Sequence, residues 1–79
     1  EMIFVTIKFY DSTVIVQDDE YKGGTEYQTG EAKITYKEIG KVDDAFDYIA
    51  LAKHSGLTYT IQYTSLEDTF LTFLDELFQ

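Results

Sequence analysis

The stretch Val42-Asp43-Asp44-Ala45-Phe46-Asp47-Tyr48-Ile49-Ala50-Leu51-Ala52-Lys53-His54-Ser55-Gly56 decides how this chain of 79 residues is read. Val42, Ala45, Phe46, Ile49 and Ala52 recur at helical spacing and mark one apolar face. Asp43 or Asp44 supplies an N-cap, and Asp43, Asp44 and Asp47 complement the positive end of a helix dipole. Lys53 and His54 fall in the last turn, and Gly56 provides the left-handed residue that ends a helix. The stretch therefore predicts a helix between the paired aspartates and Gly56.

Upstream, Met2 to Tyr10 reads as a strand, with Ile3, Val5, Ile7 and Phe9 alternating against Phe4, Thr6, Lys8 and Tyr10. Glu1 precedes Met2, so Met2 is the expected natural start. Asp11-Ser12 signals a turn, and Val14-Ile15-Val16 begins a second strand. Gly23-Gly24 accepts the positive φ values of a two-residue hairpin turn. That turn would pair Lys22 with Thr25, Glu20 with Tyr27 and Val16 with Glu31, in a long hairpin reaching Ile39 with Gly30 as a bulge. Ala32, Ile34 and Tyr36 give its return strand one apolar face.

Downstream, Leu57, Tyr59, Ile61 and Tyr63 alternate with Thr58, Thr60, Gln62 and Thr64 in the clearest strand pattern of the chain. Ser65-Leu66-Glu67-Asp68 resembles a capping box that opens a final helix. Leu66, Phe70, Phe73, Leu74 and Leu77 form that helix's stripe, which Leu71 and Phe78 widen. The expected fold is a single α+β domain over residues 1–79: a four-stranded, mainly antiparallel sheet with two helices, in the order β-β-β-α-β-α.

Composition narrows the function classes. Fifteen Asp and Glu against six Lys, with no Arg, leave a net charge of −9. Such a surface repels phosphate, so neither direct nucleic acid nor a membrane is expected as a ligand. The absence of Cys excludes disulfides, thiolate metal sites and a thiol nucleophile, and it points to a reducing cytoplasmic compartment. No apolar run approaches the ~20 residues that span a bilayer, and no signal-peptide pattern opens the chain. Self-repulsion at −9 also predicts that the denaturation midpoint rises with salt.

The sequence holds no recognisable catalytic constellation. His54, the single histidine, has no Cys partner, and a helix-end dipole role accounts for it. No G-x-S-x-G elbow and no phosphate loop occurs. An EF-hand reading from Asp18 fails because Lys22 and Thr29 fall at ligand positions five and twelve. No enzyme activity, cofactor or metal is expected.

The acids are then a surface. The acids fall into three groups: Asp18, Asp19, Glu20, Glu26 and Glu31 near the predicted hairpin, Asp43, Asp44 and Asp47 on the predicted first helix, and Glu67, Asp68, Asp75 and Glu76 on the predicted final helix. At helical spacing Asp43 and Asp47 would be i,i+4 neighbours with no Lys to relieve their repulsion. Tyr21 and Tyr27 would anchor a partner beside them, since tyrosine joins a rigid apolar body to a polar tip. The predicted partner-binding set is Asp18, Asp19, Glu20, Tyr21, Glu26, Tyr27, Asp43, Asp44 and Asp47.

As a small, Cys-free, acidic chain with Tyr-rich strands, the protein resembles phage-type inhibitors, including anti-CRISPR and anti-restriction proteins that imitate nucleic acid. The resemblance implies binding to a positively charged nucleic-acid-handling protein in the host cytoplasm, with carboxylates standing in for phosphates. Such mimicry requires Lys8, Lys33, Lys37 and Lys41 to gather on one face and leave the other to carboxylates. The alternative is a protein–protein adaptor or homodimer joined through Leu71 and Phe78 on the final helix.

Overall fold

A computed structural model describes residues 3–42 and 44–79. Five strands form one antiparallel sheet: β1 (Ile3–Tyr10), β2 (Thr25–Thr29), β3 (Ala32–Val42), β4 (Ala45–His54) and β5 (Leu57–Ser65). Helix α1 (Phe70–Leu77) follows, and a single 3-10 turn spans Asp19–Tyr21. The strand order is β1-β5-β4-β3-β2. β2 to β5 form a meander, and the chain from β1 crosses one face of the sheet to reach β2 at the opposite edge. The expected four-stranded sheet with two helices is thus replaced by a mostly β molecule with one C-terminal helix.

The predicted first helix is β4, the centre of the sheet. Its sequence alternates as well as it spirals. Phe46, Tyr48, Ala50, Ala52 and His54 point to the helix side, and Asp47, Ile49, Leu51 and Lys53 point away. Both faces are covered, so both carry apolar residues, and that blurs the period-2 signal a half-exposed strand would show. Hairpin turns use the residues that suggested helix ends. Ser55 and Gly56, both at positive φ (52° and 78°), link the paired residues His54 and Leu57 in the geometry of a type I′ turn. Asp44 is also left-handed at φ 66°, and Val42 pairs with Ala45.

The predicted hairpin arm is also corrected. The turn lies at Gly30-Glu31, so Thr29 pairs with Ala32, Tyr27 with Ile34 and Thr25 with Tyr36. That register buries Ala32 and Ile34 with Tyr27 packed against them; the Gly23-Gly24 register would have opposed Tyr27 to Glu20. Val14-Ile15-Val16 forms no strand. Asp11 closes a turn there instead, its carboxylate accepting hydrogen bonds from the Thr13 backbone N–H and hydroxyl, and Ile15 is 93% exposed.

The core lies between the sheet and α1. Ala50 and Ala52, fully buried, leave room for Phe70, Leu74 and Phe78 to descend onto the sheet. Phe70 stacks on Tyr48 at 4.5 Å and 5°, and it meets the rings of Tyr63 at 5.2 Å and Tyr36 at 5.6 Å. Phe78 packs on Tyr59 and on His54, whose place at the end of β4 replaces its predicted helix-end role. The expected capping box does not form. Ser65 ends β5 and its Oγ accepts the Glu67 N–H, while the hydroxyls of Thr69 and Tyr63 bond each other at 2.5 Å.

Candidate functional site

The sheet register sorts the polar residues onto two faces. On the face opposite α1, one cross-strand row runs Tyr10, Thr58, Lys53, Lys33, Gln28, and the next runs Lys8, Thr60, Leu51, Thr35, Glu26. The crossing segment lies over these rows. Tyr21 is its anchor, only 7% exposed, beside Ile49 and Thr60 on one side and Thr35 and Leu51 on the other. Burial raises the pKa of its phenol above the ordinary value, with Glu20 adding to the effect. A cleft of about 630 Å³ remains at the open end of this face, lined by Asp18, Glu26, Gln28, Lys33 and Lys53 among others.

Besides Tyr21, five predicted acidic site residues therefore share this second face with lysines. Asp19 pairs with Lys22 at 3.3 Å, Glu20 lies across a small hollow from Lys8, and Asp18 and Glu26 share the cleft with Lys33 and Lys53. Asp47 also faces this side, where its carboxylate accepts the Thr64 hydroxyl at 2.8 Å. Asp44 sits at the far end of the sheet beside the β4 start, and Asp43 lies outside the described residues. Helical adjacency of Asp43 and Asp47 does not arise, because residues 45–54 are a strand.

The predicted tyrosine anchors are both committed to the fold. Tyr21 is buried, and Tyr27 stands on the helix side with its ring against Tyr36 and its hydroxyl donating to Asp75 at 2.6 Å. Phe78 is likewise buried at 5% exposure, so it is not available as the adaptor surface.

The helix side carries acids of the third group, on and beside the final helix, which lie outside the predicted partner-binding set. Asp75 accepts from Tyr27 and Thr29, and those bonds hold its pKa below the usual carboxylate range while raising that of Tyr27. Asp68 accepts the Tyr48 hydroxyl at 2.8 Å; burial first, and then this bond, push the tyrosine pKa well up. Glu38 stands opposite Tyr48 on β3, and Glu76 is exposed on α1. The available signal was spacing: Asp68 stands two residues before α1 and Asp75 lies within it, next to Leu74 of the core face formed by Phe70, Leu74 and Phe78.

Among the described side chains, Lys8, Lys22, Lys33, Lys37 and Lys53 all lie on the second face or in the segment that crosses it. The Lys37 ammonium donates to the Lys22 carbonyl within that region. Lys41 follows the bulge in β3 and pairs with Phe46 at the end of the sheet. Among the described residues no three His, Cys, Asp or Glu gather as a metal site, and no helix is long and apolar enough to cross a membrane. The chain matches no known protein family, no curated protein and no solved structure.

Proposed function

We propose that this chain is a non-catalytic protein-binding domain that meets a positively charged, nucleic-acid-handling protein with its helix side. The observation that carries the reading is the uneven distribution of lysine. Lys8, Lys22, Lys33, Lys37 and Lys53 lie on the second face or in the segment that crosses it, interleaved with carboxylates. Glu38, Asp68, Asp75 and Glu76 share the helix side, where Lys41 is the one lysine placed by register, at the end of the sheet. Two of these four carboxylates are held by tyrosine hydroxyls, which reduces the ordering a partner must impose on binding. A basic channel that grips phosphates can grip such carboxylates through the same charge-assisted hydrogen bonds. Opposite charge would also raise the encounter rate, by about 10–1,000-fold for well-steered pairs. Under this reading Asp68, Asp75, Glu76 and Glu38 replace Asp18, Asp19, Glu20 and Glu26 as phosphate surrogates, because lysines interleave with the latter.

Affinity capture from host lysate at low salt tests the proposal with three baits. Wild type should retain a basic nucleic-acid-binding protein that salt or added duplex DNA releases. The triple variant Asp68→Asn, Asp75→Asn, Glu76→Gln should lose it, since an amide still accepts the tyrosine hydroxyls while the charge is gone. A second-face variant with Asp18, Asp19, Glu20 and Glu26 neutralised should keep it. Retention that ignores the helix-side triple, or that DNA cannot displace, overturns the reading.

A further inference from the structure

The two edges of the sheet are built differently. β2 is five residues long and carries Glu26, the short and charged form that discourages further pairing. β1 has eight residues, no bulge in its pairing from Ile3↔Ser65 to Tyr10↔Thr58, and Lys8 as its single charge. Its outer rim is unpaired in the sheet. Helix α1 does not cover it either. Phe73 packs on Tyr63 of β5, and the opposite flank of the helix reaches β2 through Asp75. Ile3, Val5, Ile7 and Phe9 on the helix side, and Phe4 on the other, are therefore all exposed, Phe4 at 63% and Phe9 at 67%. A long apolar edge is the kind natural sheets protect, and here the chain has no proline and, among the described residues, no bulge or covering element does so.

We infer that β1 pairs antiparallel with β1 of a second copy, about a twofold axis at Thr6, to give a continuous ten-stranded sheet. The strand's own sequence favours this occupant. A twofold axis normal to the sheet keeps each face on its own side, and centring it on Thr6 opposes Ile3 to Phe9 and Val5 to Ile7 on the helix side. On the other side it opposes Thr6 to Thr6 and Phe4 to Lys8, so the one ammonium of each strand meets an aromatic ring. Charge favours it too. Residues 3–10 hold no carboxylate, and Asp11 falls beyond the paired span, so two strongly acidic molecules meet along the segment where their repulsion is least.

The area sets the strength. Phe4 and Phe9 together expose roughly 200–300 Å², taking about 150–250 Å² for a whole aromatic side chain. With Ile3, Val5, Ile7 and the strand backbone, the interface lies at or below the standard size of about 800 Å² per partner. A dimer that dissociates on dilution, in the micromolar range, is the expected result.

Sedimentation velocity from a few to several hundred micromolar should show the mass rising from monomer toward dimer. Phe9→Glu, at an exposed position, should keep the far-UV spectrum of wild type and remain monomeric throughout. The register has its own readout, because the chain contains no cysteine. Thr6→Cys places two thiols opposite each other at a Cα separation of about 4.5–5.5 Å, within disulfide range, and should cross-link with itself under mild oxidation. Phe4→Cys should cross-link with Lys8→Cys faster than either does alone. A monomer at every concentration, a dimer that survives Phe9→Glu, or a Thr6→Cys variant that cross-links no faster than Lys8→Cys would each overturn the inference.

Discussion

Replacing Phe70 by Leu tests whether α1 is held by ring geometry or by apolar burial alone. Phe70 is 1% exposed, and its ring stacks on Tyr48 while meeting Tyr36 and Tyr63 at an angle. Leucine keeps a large apolar side chain at the site but removes all three ring–ring contacts. Each such contact is worth about 0.5–1.5 kcal/mol beyond its area, and the three share one ring, so their sum is an upper bound. A loss of about 1.5–3 kcal/mol follows, against a total of roughly 3–5 kcal/mol for a core of this size. At about 4–8 °C per kcal/mol the thermal midpoint should fall by roughly 6–24 °C. Urea unfolding followed by tyrosine fluorescence is the assay, since the chain has seven Tyr and no Trp. Phe73→Leu is the control: Phe73 is half-buried and its ring contact is with Tyr63, so its loss should stay below that of Phe70→Leu. Equal losses for the two variants, or a change under about 0.5 kcal/mol at Phe70, would refute the claim that the stacked cluster fixes the helix.

Three further outcomes follow from single contacts. Because the Tyr27 and Thr29 hydroxyls lower the pKa of Asp75, their stabilisation is present above the unfolded carboxylate pKa and is lost as pH falls through the folded one. Tyr27→Phe should therefore raise the Asp75 pKa in an NMR titration, and its stability deficit should be constant at neutral pH and shrink below about pH 4; an unmoved Asp75 pKa contradicts the bond. A methyl group at Gly24 would stand 2.5 Å from the Tyr36 carbonyl and 3.0 Å from that of Tyr21, so Gly24→Ala must shift main chain and should cost more than the ~1–3 kcal/mol usual for overpacking. Ser55→Asn supplies the Asn-Gly pair that type I′ turns favour, and thermal melting should show a gain of about 0.5 kcal/mol.

The strands at either end of the sheet sequence were legible because one period dominated. β1 and β5 alternate without a break, and their boundaries match the pattern closely. β4 was not legible, for a definite reason. A central strand covered on both faces has apolar residues at both parities. Ala50, Leu51 and Ala52 are all good helix formers, the two alanines placed where the approaching helix leaves room only for methyl groups and Leu51 facing the crossing segment on the other side. The flanking signals were ambiguous in the same sense. A left-handed Gly ends a helix and also makes a hairpin turn, and paired aspartates suit either. The misread hairpin has a different origin: Gly23-Gly24 and Gly30 both permit a turn, and the choice between them depends on which register buries Ala32 and Ile34. For the candidate site, the charge imbalance was readable, but its division between two faces was not. That division depends on strand parity, and a helical reading of residues 45–54 assigns none.

The pairing of β1 with β5 has a consequence during synthesis. Ile3 must find Ser65 and Tyr10 must find Thr58, so β1 has no partner until β5 has followed it out of the ribosome. At about 5–20 residues per second, that interval is roughly 3–12 s. Over the same interval β2, β3 and β4 can close on their neighbours through tight turns, as each hairpin is local. The nascent chain thus carries its most apolar strand uncovered for seconds, and the sheet closes only after β5 has emerged.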